Sequence, residues 1–180
     1  MLKKPEKNPG ELLKLCYEWL SSAITAIVVV AILFSCVLRI VNVSGDSMRN
    51  TLQNNDRLVL SNFFYKPDYG DIVVLVREND TPLIKRVIGM AGDRIRIDAE
   101  TGKVYRNDEE LYEPYIRSGF TSQNGMRHEL TVPEGTIFVM GDNRGESLDS
   151  RMLGPQSLDN LVGRVLFRLT PRPGRITNGE

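Results

Sequence analysis

The sequence predicts a mostly β protein, with a single N-terminal transmembrane helix followed by an all-β domain of several small antiparallel sheets. Three observations predict it. Residues 20–38 carry no charge. Beyond residue 39 the chain turns into short β-branched runs separated by turn residues, and no long amphipathic helical pattern interrupts them. The expected organisation is an N-terminal segment over residues 1–18, a membrane span over 19–38 and a folded domain over 39–180.

The span comes first. Its uncharged run holds only four hydroxyl side chains, Ser21, Ser22, Thr25 and Ser35. At 1.5 Å rise per residue it covers about 28 Å, close to the roughly 30 Å hydrocarbon core of a bilayer. Tyr17 and Trp19 stand where an interfacial aromatic belt belongs. A core helix of this length without a charge would be unusual in so small a protein. A cleaved secretory signal has an apolar run of roughly 7 to 15 residues and a small-residue site after it, and no Ala-x-Ala-like site precedes Arg39. Phe34 spoils a lipoprotein-type site at Cys36, leaving that cysteine as a small apolar side chain. Lysines 3, 4, 7 and 14 precede the run and Arg39, Arg49 and Arg57 follow it, a slight bias towards an N-terminus inside.

Strands are then expected at residues 57–60, 71–76, 83–88, 94–98, 103–106, 129–132, 136–140 and 162–169. Turn chemistry lies between them, as in Gly92-Asp93, Glu100-Thr101-Gly102 and Pro133-Glu134-Gly135. The stretch 117–127 reads as a surface excursion whose sequence proposes no chemistry.

Composition narrows the function. The chain is 41% hydrophobic and 26% charged, with 23 basic and 23 acidic residues, so neither disorder nor a nucleic-acid-binding field is indicated. Cys16 and Cys36 are the two cysteines, so the domain after residue 39 has no disulfide framework, thiolate metal site or cysteine nucleophile. A single histidine, His128, and the lack of a Gly-x-Ser-x-Gly elbow leave a Ser-His-Asp triad little support.

Three lysines fall in the domain, and Lys66 and Lys103 sit at turns. Lys85 does not. In residues 83–88 the period-two alternation puts Leu83, Lys85 and Val87 on one face and Ile84, Arg86 and Ile88 on the other, so whichever face is buried takes a cation with it. Arginine stays protonated, whereas a desolvated lysine can lose its proton and act as a base. The plainer account is an edge strand whose cations snorkel or pair with carboxylates. A base matters only if a nucleophile awaits it, and the best candidate is Ser47 in Val43-Ser44-Gly45-Asp46-Ser47-Met48. Gly45 permits close approach of a substrate backbone, and a tight turn at Asp46 and Ser47 is able to aim amides at a developing oxyanion. The plainer account here is a linker turn with a capping serine.

Taken together, Ser44-Gly45-Asp46-Ser47-Met48 with Thr51-Leu52, then Lys85-Arg86-Val87-Ile88-Gly89, then Gly141-Asp142-Asn143-Arg144 with Ser147, Asp149, Ser150 and Arg151, closely resemble bacterial type I signal peptidases of the short Gram-positive-like form. The resemblance covers nearly the whole chain. It implies a membrane-anchored serine endopeptidase with a Ser-Lys dyad, which removes signal peptides from secreted preproteins after an Ala-x-Ala site. Ser47 matches the nucleophile and Lys85 the general base. Ser147 matches a residue that orients the lysine, Asp142, Asp149 and Arg151 an ionic network, and Arg86 a neighbour of the base. Substrate would add as an extended strand, with Val43, Ile84 and Leu83, and also Val41, lining shallow pockets. Some members place an oxyanion-hole serine where Gly45 stands, so Ser44 and backbone amides are the candidates for that task. Asn50 and Ala91 replace prolines usual in the family, which bears on turn rigidity more than on the dyad.

The implied partners are preproteins and the lipid bilayer, without nucleic acid, metal or organic cofactor. The implied location is the bacterial cell membrane, single-pass, with the N-terminus cytoplasmic and the catalytic domain on the extracytoplasmic face, which suits a domain lacking cysteine. Two rival readings remain at this level. The self-cleaving peptidase domains of SOS-type repressors share the dyad but carry a DNA-binding domain in place of a span. A membrane-anchored scaffold would make Ser47 a turn residue and Lys85 a partner of some carboxylate.

Overall fold

The computed structural model describes residues 9–62, 65–76, 81–116, 118–126 and 129–176. His128 lies outside them. The chain forms two compact units, Met1–Leu38 and Arg39–Glu180.

The first unit is a helix, α1 (Pro9–Val37). Proline is suited to a first helical turn because its φ is preset and its missing N–H is not needed there, and Glu11 complements the positive end of the helix. The helix therefore starts ahead of the uncharged run and takes in Lys14 and Glu18. Ser21 and Thr25 donate their hydroxyls to the carbonyls of Glu18 (3.0 Å) and Ser21 (2.8 Å), so neither hydroxyl needs an outside partner. Gly10–Ile32 is long and apolar enough to cross a membrane. Trp19, Ile24, Ile27 and Ile32 along it are exposed.

The second unit is β-rich, as expected, but its strands gather into two sheets. The larger contains β1 (Leu38–Asn42), β2 (Arg57–Ser61), β3 (Ile72–Leu75), β4 (Leu83–Met90), β9 (Thr136–Met140), β10 (Gln156–Ser157), β11 (Leu161–Thr170) and β12 (Gly174–Arg175). Their order is β1-β2-β11-β3-β4-β9-β10, with β12 added to β11. The smaller is β7-β6-β5-β8, from β5 (Arg94–Ile97), β6 (Val104–Arg106), β7 (Glu109–Glu110) and β8 (Leu130–Thr131). Each of the eight expected strands has a counterpart. Those not anticipated include the two-residue β7, β10 and β12, too short to carry a periodic signal, and the single-turn α2 (Ser150–Leu153), which Asp149 caps.

Three apolar clusters hold this unit together. Met48, Leu52, Leu58, Val74 and Ile84 meet in one, and Val73, Leu75, Val87, Ile137 and Val139 in another. The third joins Ile88, Phe138 and Met140 of the large sheet to Ile95, Ile97 and Val104 of the small one. Strand β4 touches all three, and its register with β9 shifts between Val87 and Gly89, a bulge that bends a strand serving two sheets.

Candidate active site

Residues 46–52 wind into consecutive turns, with N–H groups of Arg49, Thr51 and Leu52 donating to the carbonyls of Asp46 (3.0 Å), Met48 (2.9 Å) and Met48 (2.7 Å). Met48 and Leu52 plunge into the first cluster and anchor the turn. Ser47, between the exposed Asp46 and the buried Met48, stays half-buried.

Lys85 pairs in register with Val73 on β3, in a strand flanked on both sides. At Lys85 itself β4 is an edge, because β9 pairs no further than Arg86, but its cation neither snorkels nor pairs: the residue is 2% exposed and ion-pairs with no carboxylate among the described residues. Its Nζ lies 2.7 Å from Ser47 Oγ and donates to the Ile84 carbonyl at 3.0 Å. Burial lowers its pKa from 10.5 to about 8, against the opposing charges of Asp149 and Asp142.

Those two carboxylates are themselves neutralised in place. Arg86 grips Asp142 through Nε (2.9 Å) and Nη2 (2.7 Å), with both side chains fully buried. Arg151 grips Asp149 in the same bidentate way, at 2.9 Å for each contact. Burial opposes ionisation of Asp149, but Arg151 outweighs it and holds the carboxyl below its ordinary range. Asp149 also accepts the Gly141 N–H at 3.0 Å.

The third motif is laced to the turn that carries Ser47. Asn143 donates its N–H to the Ser47 carbonyl (2.9 Å) and its Nδ2 to that of Asp46 (3.0 Å), and the Thr51 hydroxyl donates to Asp142. Gly141 makes this approach possible. A Cβ there would lie 2.3 Å from Ser147 Oγ and 2.5 Å from the Ser47 carbonyl oxygen. Ser147, which the resemblance assigns to orienting the lysine, is buried beside Asp149 and helps hold that carboxyl in its charged form, though among the described residues its Oγ meets full hydrogen-bonding geometry with none.

The expected substrate-side residues separate. Val43 and Ile84 are buried in the first cluster with Val41 packed against it, whereas Leu83 packs against the second, that of Val73 and Val87. Ser44 and Gly45 are exposed. Gly45 has φ +93, a region L side chains rarely adopt, and its N–H donates to Asn54 Oδ1 at 3.2 Å.

Glu113, Tyr115 and Thr121 carry no signal in the sequence, and Arg144 stands there only as a member of the third motif, without a role. Arg144 is buried against Glu113 and donates to Thr121 Oγ1 (2.6 Å) and the Gly141 carbonyl (3.0 Å). The Tyr115 ring lies 4.0 Å from the Arg86 guanidinium, and Arg151 donates to the Ser122 carbonyl at 3.0 Å. The excursion seen as chemically silent thus supplies partners to the arginines behind the dyad. One signal was available: a guanidinium carries five N–H donors, so a buried arginine paired with a single motif carboxylate needs further acceptors from elsewhere.

A buried amine with a lowered pKa against a serine hydroxyl, braced by two arginine–carboxylate pairs, defines a site for hydroxyl-nucleophile catalysis. Residues 16–170 match the family described as signal peptidase, peptidase S26, and the chain belongs to that family. It is 31% identical to thylakoidal processing peptidase 1 of Arabidopsis thaliana, across 97% of this chain and 56% of that protein. It is 30% identical to signal peptidase IB of Staphylococcus aureus, across 86% of this chain and 89% of that protein. The chain thus spans about half the length of the plant relatives, 56% and 48% of two of them. A crystal structure of a signal peptidase I from Enterococcus faecalis aligns with 29% identity and a TM-score of 0.47, over 56% of this chain and 97% of that one.

Proposed function

We propose that the protein is a membrane-anchored serine endopeptidase that removes N-terminal signal peptides from secretory preproteins after small residues in an Ala-x-Ala pattern. The observation that carries this reading is the 2.7 Å contact between Ser47 Oγ and the Nζ of a buried Lys85 that ion-pairs with no carboxylate among the described residues. Neutral Lys85 takes the Ser47 proton as Oγ attacks the scissile carbonyl, then gives it to the leaving amine. An acyl-enzyme remains, and Lys85 next draws a proton from the water that hydrolyses it. Asp142, Asp149, Arg86 and Arg151 hold the turn and strand in place without touching substrate. Among the described residues the Ser47 N–H has no acceptor, which leaves it available to the oxyanion.

Substrate adds to the edge of β4. Val87 exchanges backbone bonds with Asp71 and Gly70 on the β3 side, so by alternation Ile84 presents its backbone to the other side. There the last β9 partner is Met140, opposite Arg86, and residues 83–85 run on past it. Helix α1 anchors the protein in a bacterial cell membrane with its N-terminus cytoplasmic and residues 39–180 on the extracytoplasmic face. The test is cleavage of a preprotein bearing an Ala-x-Ala site by the full chain in detergent, beside Ser47→Ala and Lys85→Ala of verified fold. Cutting by the wild type alone, after the second alanine, is the expected result. Turnover by both variants would sink the reading.

A further inference from the structure

Beside the nucleophile turn lies a cleft of about 760 Å³, lined among others by Arg49, Asn50, Ser118, Phe120, Asn143 and Glu146. Its size is within the roughly 300–1,000 Å³ range of ligand sites. The cleft is contiguous with the reacting serine through that residue's backbone, since Asn143 bonds the carbonyls of both Asp46 and Ser47. Oγ, by contrast, faces Lys85. Two charges in its wall are neutralised in place, Asp142 by Arg86 and Arg144 by Glu113, while the exposed Glu146 takes only an amide bond, from Asn143 Nδ2 at 3.1 Å. Arg49 differs. It is exposed and, among the described residues, its guanidinium has no partner.

A peptide cut at Ser47 continues on both sides of the scissile bond. The edge of β4 at residues 83–85 accounts for one half, and the other half needs a surface that adjoins Ser47 elsewhere. We propose that this cleft receives the mature side of the preprotein, the first residues after the cut, and that Arg49 selects for an acidic side chain among them. The inference rests on the peptidase reading above and adds to it a determinant of substrate choice lying beyond the cleavage site.

The experiment uses the full chain in detergent and peptides identical through the Ala-x-Ala site. Asp, Ala or Lys is placed in turn at each of the first four positions after the cut. Wild type is expected to favour Asp over Lys in kcat/KM by about two- to fivefold at one or two of these positions, the scale of an exposed ion pair, and less so at high salt. Arg49→Glu reverses that preference at the same positions. Arg57→Glu, which changes an exposed arginine outside the cleft, leaves the preference intact. A flat wild-type profile, an unchanged ratio in Arg49→Glu, or an equal reversal by Arg57→Glu overturns the proposal while leaving the peptidase standing. Failure of the wild type to cut any peptide removes the peptidase reading, and this one with it.

Discussion

Replacing Lys85 by Met isolates the energetic cost of the base. Lys85 is buried, and its pKa falls from 10.5 to about 8. At about 1.4 kcal/mol for each tenfold change in proton affinity, keeping its charged form in the fold costs about 3 kcal/mol relative to the unfolded chain. Between about pH 8 and 10.5 the unfolded chain binds the proton that the folded one has lost, so wild type gains stability as pH rises through that window. Below it both states are protonated and the cost is present in full. Methionine fills a similar unbranched space and never charges. It forfeits the contacts of Nζ with Ser47 Oγ and the Ile84 carbonyl, worth about 1 kcal/mol each. Lys85→Met should therefore be more stable than wild type at pH 7 by about 1 kcal/mol. Its advantage should fall by about 3 kcal/mol as pH approaches 10.5. The assay is denaturant unfolding of the full chain in detergent, followed by far-ultraviolet circular dichroism across that range for both proteins. A stability difference that does not change with pH refutes the argument, because it means that Lys85 titrates alike in the two states.

For the same reason, kcat/KM should rise with pH through about 8, with about one-tenth of the lysine neutral at pH 7, and Lys85→Arg should be inactive throughout because a guanidinium keeps its proton; a flat profile excludes Lys85 as the base. Asp149→Ala leaves the fully buried Arg151 without its counter-charge and should cost about 3–5 kcal/mol, read as a fall in Tm and denaturation midpoint. Gly141→Ala forces apart Ser147 and the Ser47 carbonyl and should lower kcat on the order of a hundredfold, whereas Gly145→Ala, with nothing within 4 Å of the new carbon, should behave as wild type. Equal activity in the two alanine variants would show that the turn does not depend on close approach at Gly141.

Much of this molecule was legible because its signals are local. The uncharged run marks α1, and alternation in residues 83–88 put a cation on each face of β4. The same alternation says which face a residue occupies but not how deep that face lies. Depth came from the neighbours, since β3 pairs along residues 83–86 and the turn carrying Ser47 packs over Lys85, although β9 stops at Arg86. The excursion was misread for a related reason. Nothing within residues 117–127 announces that Thr121 will accept from Arg144 or the Ser122 carbonyl from Arg151, because each partner lies far along the chain.

By itself the sequence determined the class of the chain, the helix and most of the strands, and it singled out Ser47 and Lys85 as a candidate nucleophile and a candidate base that need each other. Only the tertiary structure decided that they meet. The close contact of Oγ and Nζ depends on Met48 and Leu52 seating the turn, and on Gly141 letting the third motif close over it. The lowered pKa that makes Lys85 useful is likewise not a property of lysine in that segment. It exists because packing removes water from the amine while two arginines restrain the carboxylates that would otherwise recharge it, and such burial arises only when distant parts of the chain are brought together.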